Sequence, residues 1–139
     1  MNRYQQRDDV LKTIGFASYR EYLASPLWQS IRRRLFAVCK ICPCGNEATE
    51  FHHRTYKKRY LLGRGKIHKF ITPICRDCHQ RIEFDGERKV ALGWANSRLD
   101  EIIEESEQRG IKRPTKCRTR RNKKKSARFH PAENTPSCE

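Results

Sequence analysis

The sequence lacks any long apolar run. Only 36% of its 139 residues are hydrophobic, and no stretch approaches the roughly 18 apolar residues of a membrane span. Its start has no charged segment followed by an apolar one, so it predicts no secretory signal. We therefore expect an intracellular protein with no membrane partner. In that compartment seven cysteines indicate metal ligands more than disulfides.

Acidic side chains are also scarce. The chain has 16 of them against 31 lysines and arginines, which gives a formal net charge of +15. Such an excess indicates a polyanionic partner, and nucleic acid fits best. A purely structural zinc protein in a protein assembly would explain this charge poorly. The small apolar fraction supports only a small core, and a small core usually needs additional stabilisation, for example by a bound metal ion.

Composition divides the chain into three parts: an N-terminal extension (1–17), a central domain (18–109) and a tail (110–139). The tail combines very few apolar residues with a dense basic run, so we expect it to be disordered when free.

The central domain reads as a mixture of helices and short strands, which predicts an α+β fold. Ser18 and Ser25 are placed to cap two helices. Trp28 recurs with other apolar residues at helical spacing, and we expect it, like Trp94, to lie in the core. From residue 87 the pattern predicts one or two helices, interrupted near Gly93 or Asn96.

Two strands and a helix are expected around the middle of the domain. The strands are predicted at 48–52 and 70–74, with a basic loop at 57–69 between them. A helix should begin at about Arg76.

Two closely spaced cysteine pairs flank this region. Cys39 and Cys42 precede it, and Cys75 and Cys78 follow it. Two C-x2-C turns can meet one ion and form a closed tetrahedral site of four thiolates, the structural form of zinc binding. Such binding could contribute on the order of 10 kcal/mol to folding.

Cys44 leaves the first pair open. The two ligands from this segment could be Cys39 with Cys42, Cys39 with Cys44, or Cys42 with Cys44; spacing favours the first choice, and Gly45 after Cys44 favours a choice that includes Cys44. Cys117 and Cys138 lie in the basic tail and are predicted to be free thiols.

Adjacent histidines end the first predicted strand, in the segment EATEFHHRTY. Neighbouring side chains of a strand point to opposite faces, which separates His52 from His53. His79 follows Cys78 directly, and Glu83 lies one helical turn later on the same helix face. His52, His79 and Glu83 are thus predicted to bind one ion together.

These segments, with PICRDCHQRIEF and the preceding helix YREYLASPLWQSIRRRLF, resemble the HNH endonuclease family, in its phage and bacterial form. The resemblance covers about residues 19–84. It implies a ββα-metal fold and a metal-dependent hydrolysis of DNA phosphodiester bonds that leaves 5′-phosphate and 3′-hydroxyl ends. It also implies the cytoplasm of a bacterial host cell, with a phage origin and a genome-packaging or other DNA-processing partner as options.

The resemblance implies a role for each matching residue. His52 and His79 would ligate a divalent metal, and His53 would be the general base that activates water. Many relatives have a histidine where this chain has Glu83, but a carboxylate suits Mg²⁺ or Mn²⁺ better than imidazole does, and Ni²⁺ is a further option. A histidine titrates near neutral pH, and a bound ion can act as a Lewis acid on the phosphate.

One position departs from the family pattern. Phe70 stands where members usually have Asn or Asp, the residue that often shapes the loop presenting the base. This departure supports an alternative function: a zinc-stabilised DNA- or RNA-binding protein of the same fold without hydrolytic activity.

Basic side chains of three regions are expected to grip the DNA backbone. They lie in the first long helix, the loop around 57–69 and the tail. The predicted contacts are Arg32, Arg33, Arg34, Arg54, Lys57, Lys58, Arg59, Arg64, Lys66, Arg120, Arg121, Lys123, Lys124 and Lys125.

Overall fold

The computed structural model describes residues 3–117, and it has the mixed α+β architecture expected from the sequence. The helices are α1 (Arg3–Thr13), α2 (Tyr19–Leu23), α3 (Pro26–Val38), α4 (Lys58–Leu61), α5 (Arg76–Glu83) and α6 (Leu92–Gln108). The strands are β1 (Glu50–His53), β2 (Ile71–Ile74), β3 (Phe84–Asp85) and β4 (Arg88–Lys89). Short 3-10 turns lie at Ile67–Lys69 and Thr115–Cys117.

The predicted caps start the helices of the first layer. Ser18 Oγ accepts a hydrogen bond from the Glu21 amide, and Ser25 Oγ accepts one from the Trp28 amide at 3.1 Å, with Pro26 as the first residue of α3. Ile31 and Leu35 of α3 are buried at the helical spacing that the sequence shows.

An antiparallel pair of strands lies between two layers. β1 pairs with β2 in a register that places His52 opposite Thr72 and His53 opposite Ile71. Phe51 of β1 and Ile71 of β2 pack with α1, α2 and α3 in one apolar cluster. Ile74 of β2 packs with α5 and α6 in a second cluster. The sheet therefore has a helical layer on each face.

Several boundaries differ from the predictions. Residues 57–69 contain α4 and a 3-10 turn where a basic loop was expected, and α6 is one uninterrupted helix through Asn96. The predicted N-terminal extension contributes α1, whose Leu11 is buried and whose Tyr4 hydroxyl donates to the Val90 carbonyl at 2.9 Å. Local residue preferences were overridden in each case by packing against other elements.

Residues 110–117 also differ from the expected disorder of the tail. Cys117 is buried, and the Arg113 guanidinium donates to the Ile41 carbonyl at 3.1 Å. Residues 118–139 lie outside the described part of the chain, and so do Cys138 and the predicted DNA contacts of the tail. Within residues 3–117, no helix is long and apolar enough to cross a bilayer.

Trp94 is a further correction. It was expected in the core, but 59% of its surface is exposed at the start of α6, whereas Trp28 is buried as predicted. Leu92 and Ala95 occupy the buried side of this first turn, so Trp94 points away from the core.

Candidate metal centres and the cavity beside them

Two groups of side chains in the described residues could each hold a metal ion. One consists of Cys42, Cys44, Cys75 and Cys78, and the other of His52, His79 and Glu83. Within each group the ligand atoms lie no more than 4.8 Å from one another. The two groups share α5, which carries Cys78 in its first turn and His79 directly after it.

A tight turn brings two of the cysteines together. The Gly45 amide donates to the Cys42 carbonyl and the Cys42 amide to the Asn46 carbonyl, both at 2.8 Å. Gly45 has a φ of +99°, a conformation that glycine adopts without the penalty paid by other residues. Cys75 and Cys78 come from the start of α5, and Cys44 Sγ lies 3.7 Å from Cys75 Sγ.

The electrostatics of the four thiols favour the presence of a thiolate. Interaction with the neighbouring Cys78 thiol, together with nearby backbone amides, lowers the pKa of Cys42 despite its burial. The same interaction raises the pKa of Cys78. Thiolates are the form in which cysteine binds metal ions.

Cys39 does not belong to this group, so the prediction of Cys39 as a ligand is wrong, and the alternative pair of Cys42 with Cys44 fits. Cys39 forms a disulfide with Cys117, which also corrects the prediction that Cys117 is a free thiol. The physical reason is the end of α3. Cys39 is its C-cap and stays beside the helix, whereas the turn after Ile41 carries Cys42 and Cys44 towards α5.

The second group meets between β1 and α5. Glu83 Oε2 lies 3.3 Å from His52 Nδ1 and 3.0 Å from His79 Nε2. His52 is fully buried, and Glu83 is 9% exposed. The structure therefore brings together the three residues that sequence reasoning grouped.

The outer nitrogens of both imidazoles have oxygen partners. His52 Nε2 lies 2.8 Å from Asn96 Oδ1, and His79 Nδ1 lies 2.7 Å from Glu50 Oε1. An oxygen acceptor can keep a proton on each outer nitrogen, and in a metal-bound state each inner nitrogen would then present its lone pair to the ion. Sequence reasoning missed both partners: Glu50 could have been found, because it lies two residues before His52 on the same strand face, but no local pattern indicated Asn96.

Neighbouring groups shift the pKa values of both Glu83 and His79. Burial alone would raise its pKa, but hydrogen bonds with His52 and His79 lower the pKa of Glu83 well below the usual range. For His79, burial opposes the charged form, but Glu83 and Glu50 raise its pKa overall. The carboxylate is thus ionised and ready to act as a ligand.

The geometry fits a divalent ion. Metal–ligand bonds of about 2.1 Å place neighbouring ligand atoms about 3 Å apart, which is close to the separations around Glu83 Oε2. The Thr72 hydroxyl, opposite His52 on the same sheet face, is buried and has no hydrogen-bond partner among the described residues. A hydrated ion would supply such a partner.

His53 points to the other face of the sheet. Its ring centroid lies 5.2 Å from that of Trp28 and 5.4 Å from that of Tyr56, and its Nδ1 lies 3.2 Å from the Tyr19 hydroxyl. Its Nε2 is buried without a partner in the described chain. Burial, followed by the neighbouring His52, lowers the pKa of His53 to about 3.

A cavity of about 270 Å³ connects the two sides of this arrangement. Its lining includes His53 from one sheet face and His79 with Glu83 from the other, together with the cationic side chains of Arg32 and Lys89. The residues that line this cavity therefore include the predicted base and two of the three predicted metal ligands.

The predicted middle position contributes no polar side chain here. The Phe70 ring stacks on that of Tyr60, with centroids 4.5 Å apart. The Phe70 carbonyl accepts a hydrogen bond from the Arg54 amide at 2.8 Å. The polar contact to the ring of His53 comes instead from Tyr19, a residue that sequence reasoning did not place at the site.

Most of the predicted DNA contacts within residues 3–117 are exposed: Arg33, Arg34, Lys57, Lys58, Arg59, Arg64 and Lys66. Arg32 is half-buried and lines the cavity. Arg54 differs, because its guanidinium lies 2.6 Å from the Asp100 carboxylate and its side chain is only 9% exposed. The prediction of Arg54 as a DNA contact is therefore wrong: its charge is engaged inside the protein.

Comparison of the chain with protein-family models, with curated proteins and with solved structures finds no significant match. Its function is therefore inferred from its own residues and their geometry.

Proposed function

We propose that this protein is a metal-dependent DNA endonuclease of the HNH type. The observation that carries the proposal is the convergence of His52, His79 and Glu83 beside a cavity that also reaches His53. The antiparallel pair β1–β2 followed by α5 supports this proposal, because a ββα-metal site would need two such strands and a helix. The net charge of +15 supports a polyanionic substrate.

In this proposal the four clustered cysteines hold a structural zinc ion. The Cys42 and Cys44 turn and the start of α5 would be fixed to each other by that ion. His79 follows the last cysteine, so the zinc would also position the second metal site.

His52, His79 and Glu83 would hold a divalent ion such as Mg²⁺, Mn²⁺ or Ni²⁺. That ion would supply Lewis-acid stabilisation of charge on the phosphate and on the leaving oxygen. Glu50 and Asn96 would keep the two imidazoles turned towards it.

His53 would take the proton of the attacking water. Its low pKa keeps the imidazole neutral near pH 7, and an approaching phosphate would raise that pKa by charge attraction. The water oxygen forms a bond to phosphorus, the bond from phosphorus to the 3′ oxygen breaks, and the leaving oxygen takes a proton from solvent. The products are a 5′-phosphate and a 3′-hydroxyl.

The test is cleavage of supercoiled plasmid at low salt with Mg²⁺, Mn²⁺ or Ni²⁺. We expect nicking by the wild-type protein and a loss of about 100-fold or more in His53→Ala, with DNA binding kept. His68→Ala is the control for loss of an imidazole, because His68 is half-buried and does not line the cavity. Equal cleavage by all three proteins would rule out His53 as the base.

A second function is favoured by the packing of Phe70 on Tyr60. A protein of this fold that binds nucleic acid without hydrolysing it would need no polar residue at that position. Tight DNA binding with no cleavage in any of the three metals would select this function and reject the nuclease.

A further inference from the structure

The cavity beside the predicted metal site has two basic side chains in its lining, Arg32 and Lys89. The Arg32 guanidinium lies 3.3 Å from the Thr49 carbonyl and 5.1 Å from the Phe36 ring. Lys89 Nζ lies 3.9 Å from Glu83 Oε1. Since Glu83 Oε2 faces the two imidazoles, Lys89 stands on the opposite side of the same carboxylate.

A short hairpin fixes the position of Lys89. β3 continues directly from α5, the chain turns at Gly86, and Lys89 pairs with Phe84. Val90 anchors the base of the hairpin: its amide donates to the Glu83 carbonyl at 2.8 Å, and its carbonyl accepts from the Tyr4 hydroxyl at 2.9 Å. The backbone at Lys89 is therefore held beside the cavity.

The ammonium group makes only loose contacts and can also reach a bound molecule. It lies 4.3 Å from the centroid of the Tyr4 ring, and the Lys89 side chain is 40% exposed. At 3.9 Å its contact with Glu83 is a loose ion pair and leaves other donor positions of the ammonium open.

An anion in this cavity needs such a cation. Glu50 and Glu83 contribute carboxylates to the lining, and they would repel a phosphate group in the absence of compensating charge. Lys89 adjoins the predicted ligand carboxylate, so its charge falls where a phosphate would lie if it approached a metal ion held there.

From these observations we infer that Lys89 contacts a non-bridging oxygen of the substrate phosphate. This role deepens the proposed function and rests on it, because it places the phosphate in the cavity beside Glu83. As negative charge builds on the phosphate oxygens during hydrolysis, a fixed ammonium stabilises it. The alternative is that Lys89 only serves as the counter-ion of the Glu83 carboxylate and does not contact the substrate.

The test compares Lys89→Ala with Arg88→Ala. Arg88 precedes Lys89 on the same strand and is exposed, but it does not line the cavity. In single-turnover cleavage at saturating DNA, we expect Lys89→Ala to lose about 100-fold and Arg88→Ala to stay within about threefold of wild type. Lys89→Arg, which keeps the charge, should recover part of the rate.

A second readout does not depend on cleavage. Inorganic phosphate is titrated into each protein, and the backbone amide signals of residues around the cavity are followed by NMR. We expect phosphate to shift them in wild type, Lys89→Arg and Arg88→Ala, and not in Lys89→Ala. The affinity of each variant for Mn²⁺ is measured by calorimetry.

The two proposals fail in different ways. Absence of cleavage by wild type, with phosphate binding that depends on Lys89, would overturn the nuclease and keep the phosphate contact. Equal cleavage and equal phosphate binding in Lys89→Ala and Arg88→Ala would overturn the role of Lys89 alone. A Lys89→Ala protein with altered Mn²⁺ affinity and unchanged phosphate binding would make Lys89 a counter-ion of Glu83 and likewise overturn the inference.

Discussion

At the scale of single side chains, the contacts that the sequence did not predict involve partners far along the chain. Arg54 was predicted to contact DNA, yet it pairs with Asp100 on α6, 46 positions later. His52, His79 and Glu83 could be grouped from the sequence, because helix and strand periodicity relate them. Asn96 and Tyr19 could not, because only the tertiary fold brings them to His52 and His53.

Removing the partner of Arg54 should destabilise the protein. In Asp100→Ala the buried guanidinium would be left unpaired, and we expect the free energy of unfolding to fall by about 3 kcal/mol. Urea denaturation with zinc present measures this. The control is Glu105→Ala on the same helix, since Glu105 and its partner Arg81 are both more than half exposed and their pair should contribute less than about 1 kcal/mol. Similar losses in both variants would show that the Arg54 pair gains nothing from burial.

The elements of the fold were predictable where local signals are strong. Caps at Ser18 and Ser25 and the start of α5 were expected from the sequence and lie where expected. The cysteine turn was less predictable, because three sulfur atoms compete for two ligand positions and the end of α3 decides among them. The uninterrupted α6 was missed because Leu99, Ile102 and Ile103 pack against α5, which outweighs the weak helix preference near its start.

The cysteine turn yields a prediction about metal content. Cys44→Ser should purify with much less than one zinc per chain, whereas Cys39→Ser should retain it, because only Cys44 belongs to the four-sulfur group. Elemental mass spectrometry of protein purified in reductant makes the measurement. Retention of zinc by Cys44→Ser together with its loss from Cys39→Ser would restore the ligand set that spacing alone favours.

At the scale of the described residues, 3–117, helices cover both faces of the β1–β2 sheet, and residues from both faces line a cavity. Net charge and the low apolar fraction alone indicated a small, basic protein stabilised by a metal ion. They could not show which basic side chains are available to bind DNA, because some of these side chains form ion pairs within the protein. The contribution of the basic run after Cys117 to DNA binding therefore has to be measured.

Deleting residues 118–139 should reduce the salt dependence of DNA binding. The segment has seven lysines and arginines between 118 and 128. For every DNA phosphate that the protein no longer neutralises, the negative slope of log K against log salt becomes shallower by about 0.9. We expect weaker binding to all sequences alike, with cleavage of plasmid retained at low salt. A full-length protein with these seven residues changed to serine is the control for length. An unchanged slope in both variants would assign the DNA contacts to the folded part of the chain.

The pairing of β1 with β2 has one more consequence. A slip of β1 by a single position would exchange the surroundings of the two histidines, since side chains alternate between faces. His53 would then stand among the carboxylates, and His52 among the aromatic rings. The different surroundings of two chemically identical neighbours are thus set by strand alignment. An insertion or deletion of one residue just before Glu50 would be more damaging than many substitutions of either histidine's neighbours.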